Sequence, residues 1–168
     1  MRYFIDMDGT LAKNPTFEKW WEEPGVFEEL PPIERVVKAI KRMIRHGAEV
    51  YILSAYNKEF PNTVDEKNIW LNKYLPEIDQ SHRIFSIFGE DKVKYVPGGI
   101  STSDVLLDDL KANLDVWSAN GGIAIQLING LDTQDHWNGI AVSSKSTIKN
   151  IVAALNDLDN ILSDIGVN

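Results

Sequence analysis

Short apolar runs alternate along this chain with longer stretches in which apolar residues recur every three or four positions. Arg2-Tyr3-Phe4-Ile5, Glu49-Val50-Tyr51-Ile52-Leu53, Arg83-Ile84-Phe85-Ser86-Ile87-Phe88, Asp104-Val105-Leu106-Leu107 and Ile123-Ala124-Ile125-Gln126-Leu127 are of the first kind. They are short and rich in β-branched and aromatic residues, which predicts strands. The spacing of Val36, Val37, Ile40, Met43 and Ile44 predicts a helix over 33–45, with Gly47 as its stop signal. Further helices are expected over Thr63–Tyr74, which carries Ile69, Trp70 and Tyr74, and over 111–118. A last one is expected over 144–165, where Ile148, Ile151, Val152, Leu155, Leu158, Leu162 and Ile165 repeat at helical spacing. The stretch 130–139 reads as a surface loop.

Strands that alternate with helices, and that are themselves strongly apolar, argue for an α/β fold. The expected form is a Rossmann-like parallel sheet with helices on both faces. A length of 168 residues suits a single domain over 1–168. Within it, 13–32 is a short, cap-like insertion holding Phe17, Trp20, Trp21 and Phe27, broken by Pro15, Pro24, Pro31 and Pro32. Its aromatics either close over a site or pack on the body.

In such sheets ligands sit beyond the carboxyl ends of the strands, near the point where strand order reverses. Asp6 falls at such an end, and Asp8 follows it in Asp6-Met7-Asp8-Gly9-Thr10-Leu11. In extended geometry the two carboxylates share a side, where they repel unless a cation or proton lies between them. Ser54 follows the second strand, Asp108-Asp109 follow the fourth, and Lys92 lies a few residues past the third. Together these groups can perform phosphoryl transfer. Asp6 would attack phosphorus, Asp8 would serve as acid and then base, Ser54 would donate to a phosphoryl oxygen, and Lys92 would neutralise charge. Mg2+ would be held by Asp6, the Asp8 carbonyl and one or both of Asp108 and Asp109. Each residue also has an ordinary explanation. The acids can be solvated turns or helix caps, Ser54 a turn residue, and Lys92 and Lys94 surface charges. His46, His82 and His136 lack metal-like spacing.

Composition narrows the partners. There are 17 basic and 25 acidic residues, a formal net charge of −8, which argues against non-specific nucleic-acid binding and against an anionic membrane. Cysteine is absent, so thiolate and disulfide chemistry are excluded. Neither a secretion signal nor a membrane-spanning apolar run is present, and a cytoplasmic location is expected.

The combination of Asp6-Met7-Asp8-Gly9-Thr10-Leu11, Ser54, Lys92 and Leu106-Leu107-Asp108-Asp109-Leu110 resembles the four motifs of the haloacid dehalogenase-like hydrolases. That resemblance implies Mg2+-dependent chemistry through an aspartyl-phosphate. Asp6 would be nucleophile, Asp8 acid/base, Ser54 the phosphate-binding hydroxyl, Lys92 the neutralising lysine, and Asp108 with Asp109 the acidic metal pair. An acid at Asp8 is similar to the phosphatases of that family rather than its dehalogenases. Glu66-Lys67-Asn68-Ile69-Trp70-Leu71, Glu90-Asp91-Lys92 and the stretch from Leu107 through Asn113 and Trp117 to Gly122 resemble the 5'(3')-deoxyribonucleotidase group. This implies a nucleoside monophosphate as substrate. The insertion is shorter than in that group's animal enzymes, and Lys94 is a rival to Lys92. The other readings are a phosphatase for a sugar phosphate or a nucleic-acid 3' phosphate, and a noncatalytic metal- or nucleotide-binding module.

Overall fold

The computed structural model describes residues 1–131 and 134–156. Six strands, β1 (Arg2–Ile5), β2 (Glu49–Tyr56), β3 (Arg83–Ile87), β4 (Val105–Asp108), β5 (Ile123–Ile128) and β6 (Ile140–Ser143), form one sheet in the order β3-β2-β1-β4-β5-β6. Every pairing is parallel. Strand order therefore reverses between β1 and β4, and the carboxyl ends of those two strands flank the crevice where such sheets bind ligands. Among the described residues, five α-helices accompany the sheet: α1 (Val26–Glu29), α2 (Glu34–Arg45), α3 (Thr63–Tyr74), α4 (Lys111–Ala119) and α5 (Ile148–Asn156).

Alternation along the strands divides the core between the two faces of the sheet. Tyr3 and Ile5 point to one side and pack with Val36, Ile40 and Met43 of α2, Trp70 and Leu71 of α3, and Ile151 and Leu155 of α5. Phe4 points to the other and packs with Leu53, Leu106 and, from α4, Leu114 and Trp117. Its ring stacks on Tyr51 at 5.0 Å and meets Trp117 at 5.2 Å. Gly122 is required by this packing, since a Cβ there would lie 2.3 Å from Nε1 of Trp117.

Three features differ from expectation. Strand β2 runs through Ser54, Ala55 and Tyr56, because Phe85, Ser86 and Ile87 of β3 continue its ladder past the apolar run. Ser54 is thus a residue of the strand and not of the turn after it. Strand β6 lies in the stretch after the expected loop. It is a four-residue edge strand in which only Val142 is fully buried, too short for its alternation to register. The final helix is described from Ile148, leaving the 144–147 stretch outside it, and Leu158, Leu162 and Ile165 lie outside the described residues. No helix among the described residues is long and apolar enough to cross a membrane.

The insertion folds as a 3-10 turn, Trp20–Glu22, followed by α1. Phe27 is buried and Trp20 packs against the core, whereas Phe17 and Trp21 are exposed. The insertion is tied down by α3. The Glu66 carboxylate accepts hydrogen bonds from the backbone amides of Gly25 at 2.8 Å and Phe27 at 3.2 Å, and Trp70 Nε1 donates to Leu30 O at 2.7 Å.

Candidate active site

The β1–β4 ladder extends one residue past β1, where the Asp6 amide donates to Leu107 O at 2.9 Å. The chain then winds tightly, with the Met7 carbonyl accepting from the amides of Thr10, Leu11 and Ala12. Gly9 makes this loop possible. Its φ is +78°, and a Cβ at that position would lie 2.2 Å from Oδ2 of Asp109. The loop is therefore built against the acid that follows β4.

Ligand oxygens of Asp6, Asp108 and Asp109 all lie within 4.8 Å of one another, and all three residues are buried. Lys92, itself buried, donates from Nζ to Asp6 Oδ1 at 2.6 Å and to Asp108 Oδ2 at 2.7 Å. It stands on the 3-10 turn Lys92–Tyr95. Burial opposes its charge, but Asp108 and Asp6 outweigh it and hold the ammonium protonated, with its pKa raised. Lys94 is exposed and lies 3.6 Å from Asp91. Of the two rival lysines, only Lys92 reaches the acids.

One ammonium does not balance three carboxylates. Burial, with the charges of Asp6 and Asp108, pushes the Asp109 carboxyl up to about 9. Burial likewise lifts Asp108 to about 6 against the pull of Lys92. Oδ1 of Asp109 is buried without a hydrogen-bond partner. A buried carboxylate oxygen left unpaired among like charges fits a cation, and an all-oxygen donor set fits a hard one such as Mg2+.

Asp8 is held from the opposite direction. Lys67 of α3, fully buried, donates to Asp8 Oδ2 at 2.5 Å, to Ser54 Oγ at 2.8 Å and to Ala55 O at 2.6 Å. Its ammonium also lies 4.8 Å from the Phe27 ring of the insertion. Asp6 and Asp8 open onto one cavity of about 580 Å³, yet each has its own lysine. The two carboxylates share this cavity, and the charge of Asp6 is felt at Asp8. Burial raises the Asp8 carboxyl above its ordinary range, and the charge of Lys67 only partly offsets this. Because Ser54 Oγ accepts from Lys67, its own proton is free to be donated elsewhere.

Sequence reasoning gave no role to Lys67, Asn113 or Asn129. Asn113 donates to Asp108 Oδ2 at 2.9 Å, and Asn129 donates to Asp109 Oδ2 at 3.0 Å and to Gly9 O at 3.1 Å. The Leu110 amide adds a bond to Asp108 Oδ1 at 2.9 Å. Lys67 and Asn113 both fall in the stretches that resemble the deoxyribonucleotidase group, and Lys67 carries a second signal. It falls on the buried stripe of α3 with Thr63, Trp70 and Leu71, where a lysine needs a partner.

The family profile described as 5' nucleotidase, deoxy (pyrimidine), cytosolic type C protein matches residues 11–154. A Bordetella pertussis protein that carries the provisional name 5'(3')-deoxyribonucleotidase is 30% identical over 92 residues, covering 55% of this chain and 45% of that protein. A like-named protein of Bordetella bronchiseptica is 28% identical over the same shares. The chain thus spans about half the length of these relatives. Among solved structures, D,D-heptose 1,7-bisphosphate phosphatase from Burkholderia thailandensis is similar with a TM-score of 0.59 at 12% identity, over 94% of this chain and 97% of that one. The B. bronchiseptica enzyme of that name, complexed with magnesium and phosphate, is similar with a TM-score of 0.57 at 12% identity, over 95% and 98%.

Proposed function

The chain belongs to the family of the 5' nucleotidase, deoxy (pyrimidine), cytosolic type C proteins, within the haloacid dehalogenase-like fold, and on that premise we propose that it hydrolyses nucleoside monophosphates through an aspartyl-phosphate. The observation that carries the reading is the pairing of two acids with two separate lysines at the mouth of one cavity. An acid bonded to the Lys92 ammonium is positioned to attack, while an acid whose carboxyl is pushed up can carry a proton.

In this reading an oxygen of Asp6 forms a bond to phosphorus as the bond from phosphorus to the leaving oxygen breaks. Asp8 gives its proton to that leaving oxygen. Asp8 then takes a proton from water, whose oxygen attacks the phosphorus of the aspartyl-phosphate and frees Asp6 and inorganic phosphate. Ser54 donates its hydroxyl proton to a phosphoryl oxygen, and Lys92 offsets the charge gathered there. Asp6, Asp109, Asp108 and the carbonyl of Asp8 would hold Mg2+, which would supply further positive charge at the phosphoryl group.

Phosphate release from nucleoside 5' and 3' monophosphates and from sugar phosphates, with and without Mg2+, tests this. Mg2+-dependent release from the nucleotides, abolished in Asp6→Asn, is expected. Release from sugar phosphates alone would remove the nucleotide assignment. No release from any ester would leave a binding module.

A further inference from the structure

Beyond the acids and Lys92 at its base, the charged side chains among the lining residues are Glu90 and Asp91, both exposed. Lys92 is the one cation among the lining residues, and it is spent on Asp6 and Asp108. Glu90 is fixed in place, since the Tyr95 hydroxyl donates to its Oε2 at 2.9 Å. Asp91 has Lys94 at 3.6 Å, an exposed pair that weakens its field without cancelling it. Trp20, Trp21 and Phe88 form apolar walls. Besides Asp8 Oδ1 and Asp109 Oδ1 at its base, two polar atoms on the lining residues have no partner, Oγ of the fully buried Ser86 and the buried Oδ1 of Asn14. A buried hydroxyl and amide oxygen left unpaired in an apolar pocket suit a ligand with neutral hydrogen-bonding groups.

We propose that this pocket selects phosphomonoesters whose leaving group carries no charge of its own, and that Glu90 and Asp91 enforce the selection by repelling a second anion. The inference rests on the phosphatase reading above and narrows it. A nucleoside monophosphate satisfies it. A bisphosphate, a diphosphate or a nucleic-acid 3' end brings a further negative group towards two carboxylates that no free cation among the lining residues offsets. Exclusion is electrostatic, so it depends on salt.

Two generic esters read the gate without assuming a nucleotide. Hydrolysis of 4-nitrophenyl phosphate is compared with that of 4-carboxyphenyl phosphate, for the wild-type protein and for the double variant Glu90→Gln/Asp91→Asn. Glutamine at 90 keeps an acceptor for Tyr95. The variant is expected to raise kcat/KM for the carboxylated ester relative to the other by about fivefold, chiefly through KM. About 0.5 M salt is expected to raise the same ratio in the wild-type protein and to leave the variant nearly unchanged. A ratio equal in the two proteins at low salt would overturn the proposal. If neither ester is hydrolysed, the phosphatase reading fails instead. Calorimetric affinities of the two compounds then decide the gate, and equal preference in both proteins would overturn it.

Discussion

The ammonium of Lys67 lies 2.5 Å from Oδ2 of Asp8 across 59 positions of sequence, and the same nitrogen holds Ser54 and the carbonyl of Ala55. A helix on one face of the sheet thus supports Asp8, the proposed acid/base, and the Ser54 hydroxyl. The turn carrying Lys92 supports Asp6, the proposed nucleophile.

Lys67→Met tests that division. Methionine fills similar space but leaves Asp8 without a cation and Ser54 without a donor. We expect kcat to fall by about 10²-fold or more and stability to drop by about 3 kcal/mol, as for other buried pairs broken on one side. Phosphate release and urea unfolding measure the two effects. A wild-type kcat would show that Asp8 works without this support.

Asp109 predicts a pH dependence. Its carboxyl stands at about 9 in the metal-free fold, through burial and the charges of Asp6 and Asp108, against about 3.9 in an unfolded chain. The folded state therefore holds the proton that the unfolded state has lost, and metal-free stability falls as pH rises from about 4 through about 9. A cation needs the ionised form, so Mg2+ should bind more tightly as pH rises from about 6 to about 9 and should release a proton at pH 7. Calorimetry in two buffers of different ionisation enthalpy counts that proton. An affinity flat across this range would contradict the assignment of Asp109 to the metal.

Gly9→Ala places a methyl group 2.2 Å from an Asp109 oxygen and imposes a φ of +78° on alanine. The backbone alone costs about 1–2 kcal/mol. Gly47→Ala is the control, since its φ is +87° with nothing within 4 Å. Both variants should melt earlier, but only Gly9→Ala should weaken Mg2+ binding, by about tenfold or more. Equal Mg2+ affinities in the two would show that Asp109 can move aside without loss.

Glu66→Ala removes the acceptor for the amides of Gly25 and Phe27. The expected cost is about 1–2 kcal/mol of local stability, seen as faster hydrogen exchange at those amides. KM should rise several-fold and kcat change little, because Asp8 keeps its lysine. Unchanged exchange would mean that Trp70 and Phe27 hold the insertion unaided.

Much of this architecture can be read from the chain. Asp6, Lys92 and Asp108 were legible because a parallel sheet gathers the ends of its central strands, so residues 86 and 16 positions apart meet. Ser54 was found, though its place inside β2 was not, since the ladder to β3 extends beyond the hydrophobic run. Lys67 was missed as a site residue because a helical lysine is ordinarily solvated, and only its place between Thr63 and Trp70 marks it as buried. Asn113 falls in a stretch that resembles the deoxyribonucleotidase group but was given no role there, and Asn129 gives no periodic or motif signal of its own. Their value lies in their places, Asn113 on the first turn of α4 and Asn129 directly after β5, from which both reach the acids.

Glu66 and Lys67 are consecutive residues of one helix, the first gripping the aromatic insertion and the second Asp8. No slack segment separates them. In the proposed reaction, the part that would recognise a departing group and the acid that would protonate it therefore hang from one stretch of backbone.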